Sequence, residues 1–504
     1  MAGHDLKIEL VKKLSKVNII LSADFDYNII SNIDLDVIVE KIIELKKDAP
    51  MLKIATNNDI KNIVDIIKKE LMQKAPLPIE VNRSSTFKPI ADEFEASYKI
   101  MNKGKDRTGG TVSDFVVYFN DRLNAIKDIF ATHRKYSITH NLETLKNYTD
   151  GREVVIVGIV SNKITTKNGN IMVVIEDETD ESKIMFMNNP NNELKKLFES
   201  ASKIINDEVI AIRGKISGPF IIARELLWPD IPIKERKTIT EDIAVALISD
   251  THIGSKLFME KNFSRMLEWL NGNIDTKSKE LAGKIKYMIV GGDIVDGIGV
   301  YPGHDRDLAI LDIYKQYEVF ANFLSEIPEY IQVFVLPGNH DAVQKSEPQP
   351  ELGSDLINVK LDNVHFVPNP NYISVHGLEI LTYHGTSLDS IIRSIPNMSY
   401  AKPESAMIEI LKRRHLSPIY GGNTIVPTRY DTLVIDNVPD ILHMGHIHKN
   451  GIDEYHGVQI VNSGTFQDRT EYQIKQGHIP TPCNVPIFEM KKYGFTTIDF
   501  NSEF

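Results

Sequence analysis

The chain has 504 residues, of which 42% are hydrophobic and 25% are charged, and its formal net charge is -11 at pH 7. This length exceeds what one hydrophobic core supports, so the sequence predicts two or three domains of ordinary globular composition. The acidic balance excludes a protein that coats nucleic acid by bulk attraction, although it leaves room for a local basic groove.

The N-terminal part is predicted to contain a helical module at residues 1–73 and a flexible linker at 74–120. In the module, DLKIELVKKLSK and NNDIKNIVDIIKKELMQK place apolar residues at helical spacing and lysines on the other face, which is typical of a solvated helix. The linker stretches KAPLPIEVNRSSTFKP and NKGKDRTGGT are rich in proline, serine, glycine and charge, so they are poorly suited to burying a core.

Residues 121–238 are predicted to form a leading helix and an all-β domain. Five short β-branched runs are separated by turn signals such as Asn168-Gly169, and the helical stretch NELKKLFESAS lies between the third and the fourth run. This order and size fit a small barrel of the oligonucleotide/oligosaccharide-binding (OB) type. A different five-stranded barrel with a structural role is the alternative, because such folds serve many functions.

Residues 239–504 are predicted to form an α/β domain in which five strands each end in side chains that can bind metal. The apolar runs stop and are followed at once by Asp, Asn or His, in blocks such as LISDTHIG, VGGDIVDG and LPGNHD. In chain order these residues are Asp250, His252, Asp293, Asn339, His340, His384, His446 and His448. Each alone has an ordinary explanation as part of a turn or as a helix cap. Five strand ends that share the feature favour a site at the carboxyl ends of the strands.

These residue types suit a centre of two divalent metal ions that hydrolyses a phosphodiester. Two such ions, about 3.5–4 Å apart, hold both the attacking and the leaving oxygen, and a carboxylate can bridge them. A mixed set of nitrogen and oxygen ligands suits Mn, Zn or Fe better than Mg or Ca. We expect two divalent metal ions as cofactors, with Mn favoured and with Zn, Fe or Mg as the alternatives.

The five blocks, D-x-H, G-D, G-N-H-D, H-G and G-H-x-H in this order, resemble those of the calcineurin-like metallophosphoesterase superfamily. The resemblance implies a two-sheet α/β sandwich with two metal sites that share Asp293. One metal would bind Asp250, His252, Asp293 and His448, and the other would bind Asp293, Asn339, His384 and His446. His340 would bind no metal and would be the catalytic residue that stabilises or protonates the departing oxygen.

The chain departs from the Ser/Thr protein phosphatases of this superfamily at a position that matters for the substrate. They read G-D-x-V-D-R-G, whereas this chain reads GDIVDGIG, so Gly297 stands where their arginine holds a terminal phosphate. The departure weakens the hypothesis of a phosphoprotein phosphatase, which stays an alternative.

The order of the domains resembles the small subunits of the archaeal D-family DNA polymerases, and LKRRHLSPIYGG, VNSGTFQDRTEYQ and PTPCNVPIFEM are similar to blocks of that family. The resemblance implies a metal-dependent 3′–5′ DNA exonuclease that proofreads single-stranded or mismatched ends. It also implies a separate large catalytic subunit as partner, in a heterodimer or a larger complex. A non-catalytic scaffold subunit is the alternative, and the complete set of ligand-type residues favours the enzyme.

Four further features complete the prediction. Cys483 is the single cysteine, which excludes an internal disulfide and a cysteine-based zinc site. No apolar run has the length of a membrane span and the N-terminus lacks a signal-peptide pattern, so we expect a cytoplasmic protein without a membrane partner. The basic run Lys412–Arg414 is predicted to be a solvated helix face, with contact to a DNA backbone as the alternative. The last stretch, NVPIFEMKKYGFTTIDF, is predicted to be a strand pair that completes the sheet or faces the large subunit.

Overall fold

The computed structural model describes residues 10–15, 19–21, 39, 41–43, 53–56, 61–63, 87–101, 108–132, 141–189, 192–274, 278–357 and 360–502. The chain divides into two compact units, residues 1–77 with 358–360 and residues 78–357 with 361–504. Within the described residues, no helix is both long and apolar enough to cross a membrane.

The first unit contains helical and extended backbone. Residues 10–15, 41–43 and 61–63 are helical, while strand β1 (Ile19–Leu21) pairs in parallel with strand β2 (Lys53–Ala55). The part predicted as a helical module therefore also contains a short β-ladder. Most of the second predicted helix, in residues 57–74, lies outside the described residues.

Regular structure also occurs inside the range predicted as a linker, 74–120. Strand β3 (Tyr98–Met101) pairs antiparallel with a strand of the C-terminal domain, and helix α1 (Val112–Thr132) begins before residue 120. The ring of Tyr98 packs edge-on against that of Phe334, with 5.4 Å between the centroids. These residues are not a linker, because long-range pairing and packing hold them. The boundaries of the other domains stay a prediction.

The barrel that follows α1 is closed and five-stranded, in the order β4-β5-β6-β8-β7. Its strands are β4 (Glu153–Thr165), β5 (Ile171–Glu176), β6 (Glu181–Phe186), β7 (Val209–Ser217) and β8 (Phe220–Leu227), and helix α2 (Asn192–Ser202) lies between β6 and β7. The five strands and the helix between the third and the fourth confirm the sequence-based prediction, while the OB type of this barrel stays a prediction.

Two six-stranded sheets form the C-terminal domain, in the orders β12-β11-β10-β9-β18-β19 and β16-β17-β15-β14-β13-β3. Their strands are β9 (Ala244–Ile248), β10 (Ile285–Gly291), β11 (Gln332–Leu336), β12 (Val364–Phe366), β13 (Asn371–Val375), β14 (Leu378–Thr382), β15 (Ile441–Met444), β16 (Asn450–Tyr455), β17 (Val458–Ser463), β18 (Asn484–Glu489) and β19 (Gly494–Asp499). The helices are α3 (Glu260–Leu270), α4 (Lys279–Ala282), α5 (Ile313–Glu326), α6 (Leu388–Ser394), α7 (Pro403–Arg413) and α8 (Glu471–Gln476). The late pair β18–β19 completes the first sheet, as the sequence predicts.

The parallel pairing of the central strands brings their carboxyl ends to one edge. Strands β9, β10 and β11 run parallel, with Val290 opposite both Ile248 and Val335. Strands β14 and β15 are parallel in the second sheet. These central strands are almost wholly buried, which explains why their sequences are continuous apolar runs without alternation. The Oγ atoms of Ser249 and Ser463 lie 2.8 Å apart and join the two sheets.

The basic run at the end of α7 contacts protein, so the sequence-based prediction for it is wrong. Nε of Arg413 lies 2.5 Å from Oε2 of Glu208 in the barrel, and both side chains are fully buried. Arg414 is buried and donates from Nε to the carbonyl of Ile435 at 2.6 Å. Only Lys412 keeps part of its side chain in solvent. Arg413 therefore contacts the barrel and Arg414 contacts the C-terminal domain, and neither side chain is available to DNA or water.

Candidate metal centre

The predicted ligands lie in the loops that leave β9, β10, β11, β14 and β15, and five of them have a strained backbone. Their φ angles are positive: 53° at Asp250, 49° at His252, 49° at Asp293, 68° at His446 and 58° at His448. Side chains other than glycine rarely adopt this left-handed region, and each such residue costs on the order of 1–3 kcal/mol. Strain of this kind concentrates at functional sites, so the backbone independently marks this edge as a candidate site.

The first cluster contains Asp250, His252 and His448, whose ligand atoms lie within 4.8 Å of one another. Nε2 of His252 lies 3.1 Å from Nε2 of His448 and 3.8 Å from Oδ2 of Asp293. Nε2 of His448 lies 3.4 Å from Oδ1 of Asp250. This Oδ1 is buried without a hydrogen-bond partner among the described residues, and such an oxygen is costly unless a cation binds it.

The second cluster contains Asp293, His384 and His446. Nε2 of His384 lies 3.3 Å from Oδ2 of Asp293 and 3.0 Å from Oδ1 of Asn339. The Oδ2 atom of Asp293 therefore faces His384 and, at 3.8 Å, His252 of the first cluster. One carboxylate oxygen lies between the two groups, as a bridging ligand would. The structure thus brings all seven predicted ligands to one place.

Two imidazoles are oriented by the nitrogen that faces away from the clusters. Nδ1 of His384 donates to the carbonyl of Gly291 at 2.9 Å, and Nδ1 of His252 donates to Oδ1 of Asp296 at 2.9 Å. In each ring the Nε2 atom is then directed at the cluster. A hydrogen bond of this kind fixes the tautomer and the orientation of a histidine that binds metal.

The buried carboxylates at this edge raise the pKa of the histidines beside them. Burial lowers the pKa of His252, but the hydrogen bond and the charge of Asp296, with the charges of Asp293 and Asp250, raise that pKa to about 9. Burial likewise lowers the pKa of His384, and Asp293 with Asp250 raises it to about 10. The same carboxylates would attract divalent cations.

The last two residues of the GNHD stretch after β11, His340 and Asp341, make different contacts. Nδ1 of His340 donates to the carbonyl of Asp296 at 2.8 Å, so Nε2 is the ring nitrogen left to interact with another group. Asp341 points the other way, is buried, and accepts hydrogen bonds from the Gly338 N–H at 2.7 Å and the Tyr317 hydroxyl at 3.0 Å. Burial lowers the pKa of His340 to about 4 and raises the pKa of Asp341 to about 6.

Sequence reasoning missed the residues whose side chains form hydrogen bonds with the predicted histidine ligands. Oδ2 of Asp389, in α6, lies 3.4 Å from Nε2 of His446, and Nε2 of Gln473, in α8, lies 2.9 Å from Nδ1 of His448. Asp296 follows three residues after Asp293, so the block GDIVD could have revealed it. Asp389 and Gln473 carry no such signal, because only the tertiary structure brings them to the site.

The residues present fit the two divalent ions that the family resemblance implies. The described residues offer carboxylate oxygens, neutral imidazole nitrogens and one carboxamide oxygen, which suit Mn, Zn or Fe. The unpartnered Oδ1 of Asp250 and the shared Oδ2 of Asp293 are the observations that argue for cations here. The role of each residue as a ligand stays a prediction.

Comparison with known proteins shows which family the chain resembles. The family described as Calcineurin-like phosphoesterase matches residues 243–450. The chain is 41% identical over 425 residues to the DNA polymerase II small subunit of Methanocaldococcus jannaschii, covering 82% of this chain and 71% of that protein. It is 42% identical over 405 residues to the protein of the same name from Archaeoglobus fulgidus, covering 79% and 80%. The protein of that name from Methanothermobacter thermautotrophicus is 36% identical over 456 residues, covering 89% and 90%.

Proposed function

The chain belongs to the family of DNA polymerase II small subunits, and we propose that it is a 3′–5′ exonuclease that uses two metals to proofread DNA. In this proposal the C-terminal domain hydrolyses phosphodiester bonds at single-stranded or mismatched 3′ ends. The name of the relatives, small subunit, supports a separate large polymerase subunit as the partner.

The observation that carries the proposal is the position of Asp293 between the two clusters. Its Oδ2 atom lies 3.8 Å from Nε2 of His252 and 3.3 Å from Nε2 of His384. When bound, two divalent ions at such a centre supply Lewis-acid chemistry that activates water and neutralises the phosphodiester charge. Asp250, Asp293, Asn339 and the four predicted histidine ligands would hold them, with Mn favoured.

His340 is the residue we assign to the departing oxygen. Because its Nδ1 donates to the carbonyl of Asp296, the ring is fixed and Nε2 is the nitrogen left for another group. To donate to the leaving oxygen, His340 must first take a second proton on Nε2, which the charge of Asp293 favours and burial opposes. A positioned imidazolium that gives this proton to a leaving oxygen contributes about 10²–10⁴-fold to rate.

A phosphoprotein phosphatase is less well supported, because position 297 has no room for an arginine. Gly297 has a φ of 76°, and a Cβ atom added there would lie 2.3 Å from the carbonyl oxygen of His340. With this backbone, only glycine is accommodated where the phosphatases place their phosphate-binding residue. A non-catalytic scaffold is less well supported because every predicted ligand position is filled.

The experiment that tests the proposal uses the purified full chain with Mn²⁺. An oligonucleotide labelled at its 3′ end, the same oligonucleotide labelled at its 5′ end, and a phosphopeptide are incubated in parallel. We expect early release of the 3′ label, a ladder from the 5′-labelled strand, and no phosphate release from the peptide. Release of phosphate from the peptide with intact DNA would favour the phosphatase. No hydrolysis of any substrate, alone or with the large subunit, would favour the scaffold.

A further inference from the structure

The two short helices that hold His446 and His448 also present exposed side chains beside the candidate metal centre. In α6, Asp389 contacts His446, and Arg393 lies one turn further along the same helix. The guanidinium of Arg393 lies 3.9 Å from Oδ2 of Asp389, while 64% of its side chain is exposed. The charge of Arg393 therefore lies beside Asp389, which in turn contacts the predicted ligand His446.

Helix α8 makes the equivalent arrangement around His448. Gln473 is buried against Nδ1 of His448, and a capping box between Thr470 and Gln473 fixes the start of the helix. Tyr472 and Ile474, on either side of Gln473 in the sequence, are exposed, and 60% of the surface of Tyr472 is accessible to solvent. A large exposed ring on a helix fixed to the metal centre has no role in the core.

Contacts join Arg393 of α6 to Tyr400 and, through it, to His478, which follows α8, the helix that carries Tyr472. The rings of Tyr400 and His478 lie 4.1 Å apart between centroids, at 32°. Nε of Arg393 donates to the hydroxyl of Tyr400 at 3.1 Å. That hydrogen bond is the main cause of the raised pKa of Arg393, and the charge of Asp389 contributes. We call Arg393, Tyr400, Tyr472 and His478 the aromatic–arginine surface.

The chemistry of this surface matches a single-stranded nucleic acid. Exposed aromatic rings stack on bases of any sequence, and an arginine beside them can contact the phosphates of the backbone. The carboxylate of Asp389, which would repel a phosphate, lies 3.4 Å from Nε2 of His446 and 3.9 Å from the guanidinium of Arg393. The aromatic residues of the barrel are less exposed, because Phe186 is fully buried, Phe220 is half-buried and Trp228, just after β8, packs on Arg413.

We propose that the aromatic–arginine surface binds the single strand whose end enters the metal centre, with Tyr472 stacked on a base and Arg393 paired with a phosphate. The proposal rests on the proposed exonuclease function, since it assigns the path of that substrate. It adds a binding site outside the metal-binding blocks, and it places the strand on the side of the cleft where His446 and His448 lie.

The test measures binding and hydrolysis separately on the full chain. A 5′-labelled oligothymidylate of ten nucleotides is titrated by fluorescence anisotropy without divalent metal. We expect Tyr472→Ala to raise the Kd by about 5- to 150-fold, the range that stacking of one base provides, and Tyr472→Phe to keep it. Arg393→Gln should weaken binding and reduce the slope of log K against log salt by about 0.7, the value of one phosphate contact.

Matched controls come from side chains of equal exposure elsewhere. Tyr430 is also 60% exposed, and Arg236 is 58% exposed, so Tyr430→Ala and Arg236→Gln should leave the Kd unchanged. An unchanged Kd in Tyr472→Ala and Arg393→Gln, or equal losses in the controls, would overturn the proposal, as would a wild-type chain that does not bind the oligonucleotide.

Hydrolysis of bis(p-nitrophenyl) phosphate with Mn²⁺ separates this proposal from the proposed function. That small diester has no strand to lie along the surface, so its hydrolysis by the wild-type chain tests the metal centre alone. A wild-type chain that binds the strand through Tyr472 but hydrolyses neither the diester nor the oligonucleotide would contradict the exonuclease and keep the binding surface.

Discussion

Arg122 and Asp431 form a buried ion pair, with Nε of Arg122 2.7 Å from Oδ2 of Asp431, that ties α1 to the C-terminal domain. The same carboxylate accepts a hydrogen bond from the hydroxyl of Tyr118 at 2.7 Å and contacts Nε2 of His415 at 2.8 Å. Arg122 also donates from Nη1 to the carbonyl of Pro418 at 2.9 Å. Because the charges of Arg122 and Asp431 pair with each other where both side chains are buried, removing Asp431 leaves the buried charge of Arg122 without its carboxylate.

We therefore expect Asp431→Ala to lower the free energy of unfolding by about 3–5 kcal/mol, the usual cost of removing one partner of a buried pair. Urea denaturation followed by circular dichroism measures the change. Glu153→Ala is the control, because its contact with Arg213 is solvent-exposed and such pairs contribute about 0–1 kcal/mol. Equal losses in the two variants would contradict the role of the buried pair.

The same pair predicts a pH dependence of stability. Burial raises the pKa of Asp431, but the charges of His415 and Arg122 outweigh burial and lower it well below the ordinary value. A carboxylate with a lowered folded-state pKa stabilises the protein above its unfolded-state pKa of about 3.9, and this contribution is lost as the pH falls further. The stability of the wild type should thus fall more steeply below about pH 4 than that of Asp431→Asn. Parallel curves of unfolding free energy against pH would contradict this.

Asp293→Ala should remove most bound metal, because Oδ2 of Asp293 faces both clusters. Metal content after dialysis against Mn²⁺ and gel filtration measures the effect. The exposed Asp453 on β16 provides the control, and Asp453→Ala should keep the wild-type content. Two metals per chain retained in Asp293→Ala would overturn the assignment of a shared ligand.

His340→Ala should keep both metals and lose about 10²–10⁴-fold in the rate of hydrolysis, the contribution of general acid catalysis. The reason is that Nδ1 of His340 donates to the carbonyl of Asp296, so Nε2 is the nitrogen that can interact with the leaving oxygen. Metal content and single-turnover hydrolysis of a 3′-labelled oligonucleotide are measured on the same preparation. Loss of metal in this variant would make His340 a ligand instead.

The isolated chain should bind single-stranded DNA weakly and with a shallow salt dependence, because its net charge is -11. The complex with the large subunit should bind tightly and with a steep dependence, since each phosphate contact contributes about 0.7 to the slope for single strands. Titrations of both species over a range of salt concentrations decide this. Equal affinities and equal slopes would indicate a nuclease that captures DNA without its partner.

The sequence by itself determined the five-stranded barrel, the strands that end in the predicted ligands, and which residues those ligands are. These features are local: an apolar run that stops at Asp250 or His384 is visible within a few residues, and the turn at Asn168-Gly169 separates two strands. The fixed order of the five blocks then indicated the metallophosphoesterase family, which the match over residues 243–450 confirms.

Only the tertiary structure decided what surrounds those residues. Arg413 reads as a surface cation in a basic run, yet it is buried because Glu208, 205 positions earlier in the chain, lies against it. Asp389 and Gln473 orient His446 and His448 across 57 and 25 positions, and β3 joins a sheet whose neighbouring strand begins at residue 371. Local periodicity carries no information about such partners, because burial and charge pairing depend on which distant segments the sheets bring together.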